Sequence, residues 1–128
     1  IGFKGVMTSH VLYPAIDDQP ASFSTRWIQG ILREGMAFTG AVFSDDLNMA
    51  AARTIEDIHT RVLCALTAGC DMILLCDNTA DMDAVLERAP CHVSSISRLR
   101  LDALYGSEPE RSHQNQIENW CSHLVKLG

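Results

Sequence analysis

The sequence has no basic run. Ten Lys and Arg residues are scattered singly against sixteen Asp and Glu, for a net charge of −6. A phosphate backbone is bound by clustered cations, so nucleic acid is not an expected partner. Long apolar stretches are missing too: the longest run only a few residues, against the ~20 needed to cross a bilayer. Five cysteines (Cys64, Cys70, Cys76, Cys91 and Cys121) form no C-x-x-C pair and cannot all be paired within one chain. Several occupy apolar positions of periodic segments, where a free thiol behaves as a small hydrophobe. That usage fits a reducing cytoplasm better than a disulfide scaffold. No targeting segment is seen, but the chain opens on Ile1 with an apolar segment almost at once. It reads as cut from something longer, so a signal would have stood before it.

What is present is ample apolar material, 47% of 128 residues, with 20% charged. That balance belongs to a globular domain rather than a disordered chain. Three short runs, Gly5–Val11, Ala41–Ser44 and Met72–Cys76, are nearly continuous in apolar residues instead of alternating. Such runs predict parallel strands covered on both faces. They start roughly 30 residues apart, the length of a βαβ unit.

Helical periodicity fills the gaps. Trp27, Ile28, Ile31 and Leu32 share a face over Thr25–Glu34, with Gly35 as the stop. Ile55, Ile58, Val62, Ala65 and Leu66 do the same over Thr54–Ala68, where Thr54 and Asp57 resemble a capping box and Gly69 follows the end. Asp77-Asn78-Thr79 offers cap chemistry for a short helix carrying Met82, Val85 and Leu86 before Pro90. A further helix is predicted over Val93–Tyr105. Residues 1–106 read as one α/β unit; 107–128 read as a polar linker followed by a tail helix with Ile117, Trp120, Cys121 and Leu124 on one face. Three parallel strands cannot close a barrel, and as an open sheet they leave two edges that invite pairing. The pattern therefore predicts a piece of a larger α/β domain that would not be a stable monomer alone.

Chemistry is most plausible at Asp45, which follows Ala41-Val42-Phe43-Ser44 at the C-terminal end of a predicted buried strand. Loops at that end of α/β barrels carry catalytic groups because they are free of packing duties. An Asp-Asp pair before a helix is also the ordinary composition of a cap and first-turn acid. Spacing alone does not choose between the two.

The run Val6-Met7-Thr8-Ser9-His10-Val11-Leu12-Tyr13-Pro14, then Pro20-Ala21-Ser22, then Phe38 to Met49 around Ser44-Asp45-Asp46, and finally Ala68-Gly69-Cys70-Asp71-Met72 to Cys76, resembles the bacterial β-N-acetylhexosaminidases of glycoside hydrolase family 3. The resemblance implies a TIM-type (β/α)8 barrel, of which this stretch would be the last three β/α units plus C-terminal helices. It implies that Asp45 is the nucleophile of a retaining glycosidase that releases β-linked N-acetylglucosamine from anhydro-muropeptides in peptidoglycan recycling, with no cofactor. Asp46 is expected to cap the following turn or orient Asp45. His10 matches a Met-x-x-His pattern of the family and is open between a satisfied core residue and a polar support of the sugar pocket; Met7 and Met49 are open between core packing and that pocket's apolar walls. The family's acid/base, a His assisted by Asp, and its Lys-His-Phe-Pro-Gly segment would lie before Ile1, so the chain alone is expected to be inactive.

Other readings have less support. Asp45, Asp46, His10 and Asp77 could be imagined as metal ligands, but no H-x-x-x-H or C-x-x-C spacing accompanies them. A triad of Ser44, His10 and Asp45 lacks the G-x-S-x-G elbow. A degenerate barrel serving as an interaction module is the alternative from a different class; it would have no need to keep Asp45.

Overall fold

The computed structural model describes residues 3–76, 79–88 and 93–105. Its centre is a parallel sheet of β1 (Gly5–Met7), β2 (Ala41–Asp46) and β3 (Met72–Leu74), in that spatial order. β1 pairs with β2 through Gly5 with Ala41, Val6 with Val42 and Met7 with Phe43. β2 pairs with β3 through Phe43 with Met72 and Asp46 with Leu74, with an irregularity between them.

The strand bounds differ from those expected, for reasons visible in the hydrogen bonds. β1 stops at Met7 rather than Val11 because the next carbonyls find other partners. Ser9 O accepts from the Ser22 N–H at 3.0 Å, and Val11 O accepts from the Ala21 N–H at 3.0 Å. β2 runs two residues past Ser44 and takes both aspartates into the strand. β3 ends at Leu74, since the Cys76 N–H donates to the Asp46 carboxylate instead of a strand carbonyl.

Among the described residues one sheet face carries the core, and the other is covered only toward its N-terminal end, where Ala41 is buried and Leu104 stands beside Gly5. Val42 lies in the core with Phe23, Ile28, Leu47, Val62, Ala65 and Ala68, and Val6 and Ile73 lean on it. On the opposite face Met7 and Met72 remain 57% and 40% exposed. Side chains alternate along a strand, so Phe43 and Asp45 belong to this open face.

Helices cover the packed face. Arg26–Gly35 is wound in the wide π form; the Met36 N–H reaches Ile31 O at 2.9 Å, and Ile28 is its buried contact. Gly35 lies inside its last turn, and the left-handed residue after it is Ala37 (φ 52°). Helix α1 (Ile58–Ala68) buries Ile58, Val62, Ala65 and Ala68. The expected box starting at Thr54 is not its cap. Ala50–Thr54 forms a separate short 3-10 turn, and Asp57 caps α1 by accepting from the Thr60 N–H and hydroxyl, both at 2.8 Å. Gly69 ends it with φ 117°, where its N–H donates to Ala65 O and Leu66 O. Only glycine adopts that conformation cheaply.

Helix α2 (Thr79–Arg88) buries Val85. Helix α3 (Ser95–Asp102) is shorter than expected because Ser94 caps it, accepting from the Ser97 N–H at 3.0 Å; Ile96 and Leu99 stay exposed. α3 is tied to the N-terminal end of the sheet through Asp71. That carboxylate accepts from Arg33 (2.7 Å), the Val42 N–H (2.9 Å), Ser97 (2.6 Å) and Arg100 (3.1 Å). This cluster leaves the C-terminal strand ends, where the aspartates are, free of the packing that closes the other end. The Asp77-Asn78 cap and everything expected for 107–128 lie outside the described residues.

Candidate active site

The C-terminal ends of β2 and β3, the loop after β1 and the turn after β2 meet around Asp45. Its Oδ1 accepts from the N–H of Asp46 at 2.9 Å. Among the described residues nothing else hydrogen-bonds to this carboxylate, so Oδ2 keeps its lone pairs. A part-exposed carboxylate oxygen with no partner among the described residues, on the open face of the sheet, has what a nucleophile or an electrostatic stabiliser needs.

Asp46 is differently occupied. Its Oδ1 accepts from the Asn48 N–H and the Cys76 N–H, each at 3.0 Å. The first bond shapes the turn; the second ties the end of β2 to the end of β3. Asn48 adds a second tie, its side-chain amide donating to Cys76 O at 2.9 Å. The turn closes with the Met49 N–H on Asp46 O at 3.1 Å, and Met49 itself is 45% exposed at the mouth.

His10 lies three residues beyond β1 and is buried. Its Nε2 is 3.0 Å from Asp46 O, and Phe23 sits 5.5 Å away at a tilt of 32°. The His10 loop is anchored to the sheet through Thr8, whose N–H and hydroxyl both donate to Phe43 O. Ser44 does not assemble a triad with His10: it is fully buried, and its hydroxyl accepts from the Leu74 N–H at 3.0 Å. Asp77, the remaining imagined metal ligand, lies outside the described residues.

Sequence reasoning missed Arg61. It sits on the buried face of α1, 5% exposed, and donates to Leu47 O and, at 3.1 Å, to Glu56 O. A charged residue one position before Val62, on the apolar stripe, was the available signal, since an arginine is buried only when its donors have acceptors. Cys70 is also buried beneath this region. Desolvation pushes its thiol up to about 12, so it stays protonated and unreactive at neutral pH.

Residues 2–102 match the family model described as the glycosyl hydrolase family 3 N terminal domain. The chain is 49% identical over 125 residues to a Beta-hexosaminidase of Pseudomonas aeruginosa, covering 95% of this chain and 36% of that protein. It is 44% identical over 127 residues to a Beta-hexosaminidase of Hydrogenovibrio crunogenus, covering 96% and 36%. The crystal structure of native NagZ from Neisseria gonorrhoeae superposes with a TM-score of 0.75 at 31% identity, covering 91% of this chain and 32% of that one. The chain thus spans about a third of the length of the relatives it matches.

Proposed function

This chain belongs to glycosyl hydrolase family 3, and from that membership we propose that it supplies the nucleophile, Asp45, of a retaining β-N-acetylglucosaminidase. The observation that carries the proposal is the unshared oxygen of Asp45 at the C-terminal end of β2, beside a second carboxylate already spent on two N–H groups.

In the first step Asp45 Oδ2 attacks the anomeric carbon. The glycosidic C–O bond breaks, and the departing oxygen takes a proton from an acid. In the second step the same group, now a base, deprotonates a water that attacks the anomeric carbon, and the C–O bond to Asp45 breaks. Two inversions leave the configuration retained. By family likeness the acid/base is supplied by a part of the barrel other than these residues, whose three strands we take as the last of its eight. Asp46 orients the strand end, and Met7 and Met49, both exposed, form apolar walls for the sugar. No cofactor takes part.

The substrate class is a terminal β-linked N-acetylglucosamine on an anhydro-muropeptide, released in the cytoplasm during peptidoglycan recycling. No helix among the described residues is long and apolar enough to cross a membrane. The test is Asp45→Ala in the full-length enzyme with an aryl N-acetylglucosaminide. Turnover should fall by several orders of magnitude with the fold retained. A near-normal rate would remove Asp45 from the mechanism.

A further inference from the structure

We propose that His10 is a positioning residue: its imidazole holds the carbonyl of Asp46 and thereby fixes the direction in which Asp45 presents its carboxylate. The inference rests on the assignment of Asp45 as nucleophile and concerns how that group is aimed.

A carbonyl carries no proton, so the 3.0 Å contact between His10 Nε2 and Asp46 O requires Nε2 to donate. The ring's other nitrogen, Nδ1, is buried and has no partner among the described residues. A histidine kept for packing would find acceptors or donors at both nitrogens, or be replaced by an apolar residue. Among the described residues, the only hydrogen bond of the ring goes to the residue that follows the nucleophile. Direct contact with a sugar is disfavoured by the same facts: His10 is 7% exposed and its donor is already used.

What the bond accomplishes follows from the other ties at Asp46. The Met49 N–H takes one lone pair of the Asp46 carbonyl, and His10 takes the second. The carboxylate is held by Asn48 and Cys76. Both peptide groups flanking the Asp46 Cα are then constrained, one by His10 and one by its own N–H on Asp45 Oδ1. Because that N–H is the one hydrogen bond to the Asp45 carboxylate among the described residues, a swing of Asp46 would turn the nucleophile with it. The imidazole is itself well placed to resist. Phe23 lies against its face, and the preceding residue is fixed by the Ser22 N–H and Ser22 hydroxyl on Ser9 O.

The experiment uses the full-length enzyme with three substitutions. His10→Phe keeps a planar ring against Phe23 but removes the donor; His10→Gln places an amide N–H near the position of Nε2. His10→Phe should lower kcat about 10- to 100-fold, the worth of one hydrogen bond that orients a reacting group, with KM changed less than about threefold. His10→Gln should recover most of that loss. A His10→Phe kcat close to that of the parent, a rise in KM alone, or equal losses in both variants would each overturn the proposal. Asp45→Ala, measured beside them, separates the two claims: activity surviving there overturns the nucleophile, whereas activity lost there but kept in His10→Phe overturns only the positioning role. In the unsubstituted protein, ring nitrogen shifts should report a proton on Nε2, and a bare Nε2 would contradict the proposal whatever the variants do.

Discussion

Replacing Asp46 by Asn is the most discriminating small perturbation, because it leaves the shape of the strand end and removes only a charge. Asp46 Oδ1 accepts two backbone N–H groups at 3.0 Å. Hydrogen bonds to a charged acceptor are worth about 1.5–3 kcal/mol each and neutral ones about 0.5–1.5 kcal/mol. The Asn oxygen can keep both bonds in the weaker class, so roughly 2–3 kcal/mol is lost across the pair. If all of it appears in the transition state, the rate falls by about 30- to 150-fold. Asp45→Asn is different in kind, since an amide cannot form the glycosyl ester, and its loss should reach several orders of magnitude. Added azide should restore turnover to Asp45→Ala as an external nucleophile and should do nothing for Asp46→Ala. Steady-state kinetics with an aryl N-acetylglucosaminide gives all of these rates. Equal losses in the two Asn variants, with azide rescue at position 46, would refute the division of labour and move the nucleophile to Asp46.

Two further predictions concern the scaffold. Bonds from the Thr60 hydroxyl and N–H, with Arg88 nearby, hold the Asp57 carboxyl below its ordinary value. Its contribution is therefore present above an unfolded value of about 3.9 and lost as pH falls through the folded one. Asp57→Ala should accordingly destabilise the protein to urea at pH 7 and converge with the parent in acid; a difference that persists undiminished at low pH would contradict the cap. Gly69→Ala should cost more than about 1 kcal/mol by thermal denaturation, because φ is 117° and any side chain is strained there; an unchanged melting temperature would contradict that geometry.

How far the sequence was legible depended on whether the controlling interaction was local. Ile58, Val62 and Ala65 of the expected stripe and the stop at Gly69 are found in α1, because periodicity and a left-handed glycine act within a few residues; Ile55 lies before the helix and Leu66 is only half-buried. The true cap, Asp57, is equally local, but the Thr54-x-x-Asp57 spacing also fits a box starting at Thr54 and so hides it. Strand ends failed where partners were distant: the Ser9 and Val11 carbonyls are claimed by Ser22 and Ala21, and Cys76 by Asp46. Aspartate is depleted in strands, so propensity stopped β2 at Ser44 although pairing carries it to Asp46. At the site, the position of Asp45 was legible as a strand end followed by a turn. The Asp71 cluster and Arg61 were not, since a charged residue gives no sign in sequence that its partners lie on other elements.

The central claim is that Asp45 forms a covalent bond to the sugar, and trapping that bond tests it most directly. A 5-fluoro N-acetylglucosaminyl fluoride carries a good leaving group but slows both steps by destabilising the oxocarbenium-like transition state, so the glycosyl-enzyme accumulates. Digestion and mass spectrometry of the full-length enzyme should place one sugar adduct on the peptide containing Phe43-Ser44-Asp45-Asp46, with fragmentation assigning it to Asp45. An adduct on Asp46 or on any other residue, or turnover of the ordinary substrate with inversion at the anomeric carbon, would contradict the account.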